Sequence, residues 1–248
     1  MACLELFVFP WGVSPRRVLL YLAEKGLLSC PLIKITQVAV TSKGELVAPG
    51  KPPGSVPILR LPDGTLIKQS VAILDYLEDI CDSPDPKQPW QTELAQSASA
   101  KRSMRGTTAE ERARTREMML LADEATGYFN LACHKGSKLF AANEPTSAVA
   151  AQLILDWAQR PLKLLEAHYV GDSRLEEDGG WVTVADCVGY ALLEFAEGFY
   201  QVDLISDPQL VGLRAFYQAF KKRQSAQIQG DHFPEEMKKL ACQWLVAA

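Results

Sequence analysis

Cysteine and histidine, the side chains that most often hold metal ions or act as nucleophiles, are scattered along this sequence. The six cysteines stand at positions 3, 30, 81, 133, 187 and 242, and no two of them lie within ten residues of each other. This spacing excludes a Cys-x-x-Cys pair and the ligand spacing of a zinc site. The histidines at positions 134, 168 and 232 suggest neither a metal site nor a catalytic triad. We therefore expect mostly reduced, buried thiols and no metal cofactor.

The composition is that of an ordinary globular protein. The 248 residues are 48% hydrophobic and 23% charged, with a formal net charge of −4. Collagen-like, disordered and disulfide-stapled proteins depart from this profile, and nucleic-acid-binding domains usually carry a positive excess. The N-terminal residues lack the basic segment and apolar run of a signal peptide, and no stretch reaches the roughly 20 apolar residues of a membrane helix. We expect a cytoplasmic protein without nucleic-acid or membrane partners.

The prolines indicate where the chain divides. Eleven of the fifteen prolines fall in the first 90 residues, and the last three of these lie in the polar segment Asp82–Pro89. Such a segment cannot continue a helix and is typical of a linker. Beyond it the apolar pattern is helical throughout. We therefore predict two domains, 1–83 and 92–248, joined by a linker at 84–91.

The predicted first domain contains short strand patterns. Leu4–Phe9 and Pro31–Ile35 are apolar runs typical of strands, whereas residues 41–54 hold three glycine or proline clusters and are predicted to be irregular. Two apolar segments flank Pro62-Asp63-Gly64, which predicts a β-hairpin over Val56–Lys68. The strands alternate with helical patterns, so we predict a small mixed sheet with helices on its faces.

Two serines mark the predicted helix starts of this domain. Ser14 is predicted to be an N-cap, with Pro15 at the first helical position and Gly26 ending the helix. Ser70 is predicted to cap a second helix in the same way.

The predicted second domain has four helices. They cover Ala109–Phe129, Ala148–Tyr169 with a bend at Pro161, a segment from Val184 to Phe195, and Gln209–Gln224. Thr183–Asp186, at the start of the third helix, has the form of a capping box in which aspartate replaces the usual Glu or Gln.

Five segments, taken together in their order and spacing, point to a known family. They are Phe9-Pro10-Trp11-Gly12, Arg16–Gly26, Ser55–Leu59, Gln69-Ser70 followed by Ala72-Ile73 and Tyr76-Leu77, and the Thr183–Asp186 capping box. On these segments the sequence resembles the cytosolic glutathione transferases. The resemblance implies a thioredoxin-like α/β domain with a mixed four-stranded sheet, which binds glutathione. It also implies a second, all-α helical bundle that supplies the pocket for a small hydrophobic electrophile.

The resemblance also implies how glutathione is held. Pro57 would be cis, so that the N–H and C=O of Val56 face the cysteinyl part of glutathione. Gln69 and Ser70 would hold the γ-glutamyl end, because the start of a helix attracts a carboxylate through its N–H groups and dipole. The alternative for Ser70 is a role as a helix cap only. Lys51 is a candidate for the glycyl carboxylate, the alternative being a solvated lysine.

The departure from the family lies in the residue that activates the thiol. In this family a Tyr, Ser or Cys at the end of the first strand has that role. Counting back from Arg17-Val18, this position is Gly12, which has no side-chain proton to donate. Ser14 is the only hydroxyl between strand and helix, so we predict it as the catalytic residue, with N-capping as the alternative. Trp11 and Arg17 are further candidates for contacts to the thiolate or substrate.

Three functions fit the resemblance. The first is a transferase that conjugates glutathione to a hydrophobic electrophile, in detoxification or secondary metabolism. The second is an isomerase, dehydratase or etherase that recycles glutathione on one dedicated metabolite, and the third is a binding or regulatory protein without turnover. The resemblance implies a homodimer for each of them. Met118, Met119 and Tyr128 are candidate pocket residues, and the basic segment 101–118 is expected to be a solvated helix face.

Overall fold

The apolar runs near the N-terminus form a mixed sheet, as predicted. The computed structural model describes residues 4–9, 11–41, 45–98, 102–175, 180–227 and 233–246. Its first elements are β1 Leu4–Val8, α1 Val13–Glu24, β2 Ile33–Gln37, β3 Ala39–Val40, β4 Leu46–Val47, β5 Ile58–Arg60, β6 Leu66–Ile67, α2 Ser70–Asp82 and α3 Pro89–Ser97. The four-stranded sheet has the order β2-β1-β5-β6, and only the β1–β2 pair is parallel. This confirms the predicted α/β fold class with its mixed four-stranded sheet.

The segment predicted to be irregular, 41–54, contributes strand β4 to a short second sheet. Strands β3 and β4 pair antiparallel, with Ala39 opposite Val47 and Val40 opposite Leu46. Leu46, Ala48, Val56 and Leu66 pack against a buried cluster of Phe7, Val38 and Ile58. Two-residue strands are too short to show an alternating pattern, so the sequence gives no sign of them.

Both predicted helix caps are wrong by one or two residues. The N-cap of α1 is Gly12, so Ser14 and Pro15 are the second and third helical residues. Proline fits there because the first N–H groups of a helix have no intrahelical partner. The N-cap of α2 is Gln69, and Ser70 is the first helical residue. Neither serine therefore caps its helix, and both hydroxyls lie in the first turn.

The second part of the chain is helical, as predicted. Its elements are α4 Ala109–Gly136, α5 Ala148–Tyr169, α6 Val184–Tyr200, α7 Val211–Lys221, α8 Gln224–Gln227 and α9 Glu235–Ala241. Helix α5 runs without interruption through Pro161. The chain forms two compact units, Met1–Arg112 and Ala113–Ala248. The domain bounds inferred from the sequence stay a prediction.

The predicted capping box at the start of α6 is confirmed and is larger than the sequence indicated. Asp186 accepts a hydrogen bond from the Thr183 N–H at 2.7 Å, and its own N–H donates to the Thr183 hydroxyl at 3.1 Å. The Tyr169 hydroxyl at the end of α5 donates to Asp186 at 2.8 Å, and the Arg174 guanidinium donates at 3.1 Å. The carboxylate of Asp186 therefore joins two helices and the segment between them.

A buried ion pair connects α1 to α2 in the first unit. The Lys25 ammonium lies 2.8 Å from the Glu78 carboxylate, and both side chains are nearly inaccessible to solvent. Glu78 also accepts hydrogen bonds from the Tyr21 hydroxyl at 2.7 Å and the Met104 N–H at 2.5 Å. Burial and the neighbouring Glu78 charge raise the pKa of Tyr21 well above its ordinary value, so this phenol stays a donor. The pair holds the C-terminal end of α1 against α2.

None of the described helices is long and apolar enough to cross a membrane. Among the described residues, no group of His, Cys, Asp and Glu side chains is arranged to hold a metal ion.

Candidate functional site

Strand register brings three predicted segments to one end of the sheet. Phe7 pairs antiparallel with Ile58, so residues after β1 and residues before β5 leave the sheet at the same end. Leu59 pairs antiparallel with Ile67, which places the end of β6 there as well. The loop before α1, the Val56-Pro57 segment and the start of α2 therefore share this end. We call these three segments, with residues 50–54, the candidate site.

The loop before α1 presents a hydroxyl without a hydrogen-bond partner. The Gly12 N–H donates to the Phe9 carbonyl at 3.0 Å, which forms the turn after β1. Ser14 is half-buried, and its hydroxyl makes no hydrogen bond to any residue that the structure describes. The Trp11 ring lies with its centroid 3.8 Å from that of Phe9. Pro10 lies outside the described residues.

Packing explains why glycine fits at position 12. A Cβ there would lie 3.2 Å from Cδ of Pro15, closer than most side chains tolerate, and 3.4 Å from Cδ1 of Phe9, which is an ordinary contact. The backbone itself, with φ of −78°, would accept any residue. A side chain at this position, such as the family's usual hydroxyl residue, would therefore require Pro15 to shift by a few tenths of an ångström.

The Val56-Pro57 peptide bond is cis, which confirms the prediction. The Val56 side chain packs against the cluster of Phe7, Val38 and Ile58. Within the described part of the chain, neither the N–H nor the C=O of Val56 has a hydrogen-bond partner. This backbone unit thus offers a donor and an acceptor beside each other, as a strand edge does.

Basic side chains hold the carbonyls of residues 50–54, the loop that precedes Val56. The Lys51 ammonium donates to the carbonyls of Pro52 at 3.0 Å and Gly54 at 2.7 Å. Lys68 donates to the Pro53 carbonyl at 3.2 Å. Two of the three N–H donors of Lys51 are therefore occupied by its own loop, and one remains for a ligand.

Arg60 connects this loop to the sheet. Its guanidinium donates to the Gly50 carbonyl and, at 2.7 Å, to the Glu5 carboxylate. Burial opposes ionisation of Glu5, but hydrogen bonds from Lys34 and Thr36, with the charges of Lys34 and Arg60, lower its pKa. Sequence reasoning missed Arg60. The sign that would have found it is a charged residue in the otherwise apolar run Val56–Leu61.

The start of α2 joins a serine to a buried arginine. Gln69 is exposed, whereas Ser70 is only 4% exposed. Arg17, 2% exposed, donates from Nη1 to the Ser70 hydroxyl at 3.1 Å. The structure therefore places the Arg17 guanidinium against the γ-glutamyl candidate residue Ser70.

The other residues considered as pocket or surface residues lie in different surroundings. Met118 and Met119 are buried in the core of the second unit, whereas Tyr128 lines a surface groove with Leu131 and His134. Arg105, in the basic segment, is bound to Asp79 at 2.5 Å and Asp82 at 3.1 Å. Lys101 lies outside the described residues. Arg102 of the same segment lies 3.5 Å from Glu111, so the basic segment includes ion-paired arginines as well as exposed charges.

Comparison with known proteins identifies one domain by its family and the chain by its fold. Residues 13–80 match the family model of the glutathione S-transferase N-terminal domain. No curated protein matched the chain. A glutathione transferase family member from Pseudomonas fluorescens Pf-5 with bound glutathione is 21% identical, with a TM-score of 0.64 over 90% of this chain and 97% of that one. Gtt2 from Saccharomyces cerevisiae is 20% identical, with a TM-score of 0.61 over 90% of this chain and 98% of that one.

A plant protein has the same fold. Glutathione transferase F2 from Populus trichocarpa is 18% identical, with a TM-score of 0.61 over 90% of this chain and 95% of that one. The matched residues contain three of the four segments of the candidate site, namely residues 50–54, Val56-Pro57 and the start of α2, and they begin directly after the loop before α1. Residues 13–80 therefore match a glutathione S-transferase N-terminal domain, and the chain has the fold of glutathione transferases.

Proposed function

We propose that the protein binds glutathione at the candidate site, stabilises its thiolate and transfers it to a small hydrophobic electrophile. The observation that carries the proposal is the meeting of Val56, with its unused backbone donor and acceptor, and Ser70 at one end of the sheet. The Pseudomonas fluorescens relative was solved with bound glutathione.

Each part of glutathione has a partner in this proposal. The N–H and C=O of Val56 pair with the main chain of the cysteinyl residue. Gln69 and Ser70 bind the γ-glutamyl end, where the N–H groups of the first turn of α2 favour a carboxylate. Lys51 contributes its remaining N–H to the glycyl carboxylate while its other two hold the loop.

Thiolate stabilisation needs donors beside the sulfur. A free thiol has a pKa near 8.5, so lowering it by about two units requires roughly 2.7 kcal/mol of preference for the thiolate. We assign part of this to the Ser14 hydroxyl and part to the N-terminus of α1, whose second helical residue is Ser14. The Trp11 indole N–H is the alternative donor.

The ultraviolet absorbance of the thiolate, measured against pH with bound glutathione, tests this function. We expect the thiol of bound glutathione to ionise about two pH units below that of free glutathione. Ser14→Ala should raise the pKa of the bound thiol by about one unit, the scale of one hydrogen bond. Ser97→Ala, which removes an exposed hydroxyl from α3, is the control.

The outcomes of this experiment separate the parts of the proposal. Failure of glutathione to bind would contradict both enzymatic functions and leave a binding or regulatory protein without turnover. An unshifted thiol pKa would argue against conjugation. An unchanged pKa in Ser14→Ala would remove only the role of Ser14.

A second enzymatic function follows from Gly12. Because the usual hydroxyl is absent, glutathione recycled in an isomerase, dehydratase or etherase reaction on one metabolite is the alternative. The two reactions differ in the fate of glutathione. Conjugation consumes one glutathione for each substrate converted, whereas recycling leaves its total unchanged, and quantifying glutathione during turnover distinguishes them.

We further propose that the protein is a homodimer through the outer faces of α4 and α5. Four apolar residues of α5 lie on one helix face and are each about half or more exposed, namely Val149, Leu153, Trp157 and Leu164. The Trp157 ring lies 6.0 Å from that of Tyr128 on α4, beside the exposed Leu131. Covering such a continuous apolar face with a second copy removes it from water.

Charge introduced on this face should separate the two copies. We expect Leu153→Glu to weaken dimerisation by about a hundredfold, because it would bury an unpaired carboxylate at the contact. Sedimentation velocity over a concentration series measures the effect. Val211→Glu, at a 65% exposed position on α7, is the matched control and should leave the dimer intact. A monomeric wild type, or equal behaviour of both variants, would contradict the proposal.

The cysteines support a reducing, cytoplasmic location. The five described cysteines are thiols, and Cys30, Cys133 and Cys187 are buried. Cys3 lies outside the described residues. Burial raises the pKa of Cys133 well above its usual range despite a hydrogen bond with Tyr200, so this thiol is unreactive.

A further inference from the structure

We propose that Arg17 is a positioning residue that orients the Ser70 hydroxyl toward the γ-glutamyl carboxylate of glutathione. The inference rests on the proposed function and adds a residue that the ligand does not touch. It also gives Arg17 a different role from contact with the thiolate.

Hydrogen-bond chemistry fixes the direction of the Ser70 hydroxyl. A guanidinium has only donors, so Arg17 Nη1, 3.1 Å from the Ser70 oxygen, makes that oxygen an acceptor. In the described part of the chain this is the only hydrogen bond of the Ser70 side chain. The hydroxyl proton is therefore left to be donated elsewhere, and a carboxylate next to Ser70 is an acceptor-only partner for it.

The positive charge of Arg17 also favours a carboxylate bound at Ser70. Arg17 is 2% exposed and permanently charged, so solvent screens it little. The N–H groups of the first turn of α2 add a partial positive charge beside Ser70. A carboxylate bound at Ser70 would lie one hydroxyl group away from a buried cation. In this proposal Ser70 does not bind the glycyl carboxylate or the sulfur of glutathione, so Arg17 acts on neither of them through Ser70.

The test compares two ligands by calorimetry with the full-length protein. The first is glutathione, and the second is 4-aminobutanoyl-cysteinylglycine, which is glutathione without the γ-glutamyl α-carboxylate. The variants are Arg17→Met, which removes charge and donors, and Arg17→Lys, which keeps a charged donor. Arg16→Met is the matched control, because Arg16 is equally buried in the same turn of α1 but points about 100° away.

We expect Arg17→Met to weaken glutathione binding about tenfold and to change binding of the shortened ligand less than twofold. Arg17→Lys should recover part of the loss. Arg16→Met should not alter the ratio of the two affinities. A loss that is equal for both ligands, or no loss, would overturn the role of Arg17.

Two further outcomes keep the proposals apart. If the wild-type protein binds no glutathione, the proposed function fails, and this inference fails with it. If the wild type binds both ligands equally, glutathione binding stands but the carboxylate is not recognised at Ser70, which overturns the inference alone. Should Arg17→Met not fold, Arg17→Gln is judged by the same ratio.

Discussion

Replacing Asp186 with alanine is expected to lower the free energy of unfolding by about 3–5 kcal/mol. The carboxylate is fully buried and accepts hydrogen bonds from Thr183, Tyr169 and Arg174. Its removal would leave the Thr183 N–H, the Tyr169 hydroxyl and the Arg174 guanidinium without their buried acceptor. The loss exceeds that of an ordinary helix cap, about 1 kcal/mol, because Asp186 joins the end of α5 to the start of α6.

Urea unfolding followed by far-ultraviolet circular dichroism measures this effect. Thr183→Ser keeps the capping hydroxyl and is the control, expected to cost less than about 1 kcal/mol. Asp186→Asn keeps an acceptor but loses the charge, so its effect should lie between those of the other two variants. A loss below about 1 kcal/mol in Asp186→Ala would show that the hydrogen bonds of Asp186 are replaced by water.

Replacing Glu78 with leucine is expected to destabilise the first unit by a similar amount, about 3–5 kcal/mol. The variant would leave the Lys25 ammonium, 1% exposed, without its carboxylate. The Tyr21 hydroxyl and the Met104 N–H would lose their acceptor at the same time. Since Tyr21 belongs to α1 and Lys25 is its C-cap, the packing of the C-terminal end of this helix should weaken.

A double-mutant cycle isolates the ion pair. Lys25→Met alone, Glu78→Leu alone and the two together are compared by denaturant unfolding. The double variant should be more stable than the sum of the single losses predicts, because it leaves no unpaired buried charge. Additive losses would contradict this account and assign both effects to packing.

Local patterns were predictable from the sequence, and distant partners were not. The hairpin around Pro62-Asp63-Gly64 and the capping box at Thr183 depend on residues within a few positions of each other, so their spacing is visible. Arg17 and Ser70 are separated by 53 positions, and Arg60 and Glu5 by 55. No periodicity shows such a pair, since it forms only once the sheet has brought the helices and loops together.

The residues of the candidate site were predictable only from the resemblance to a family, and their positions relative to the helix starts only from the structure. Val56, Gln69 and Ser70 were assigned because their segments match a family in order and spacing. The helix caps at Gly12 and Gln69 differ from the predicted serines by one or two residues, because serine and proline are tolerated throughout the first turn. A pattern of residue types therefore predicts that a helix is present but not the residue at which it begins.

The hydrogen bonds that hold the loop at residues 50–54 affect how fast and how tightly a ligand is bound. The carbonyls of Gly50, Pro52, Pro53 and Gly54 accept hydrogen bonds from Arg60, Lys51 and Lys68, and Arg60 also donates to Glu5 of the sheet. The conformational entropy of this loop is therefore lost when the chain folds and not when a ligand arrives. We expect association without a slow ordering step, so that differences in affinity among tripeptide thiols arise mainly in their dissociation rates.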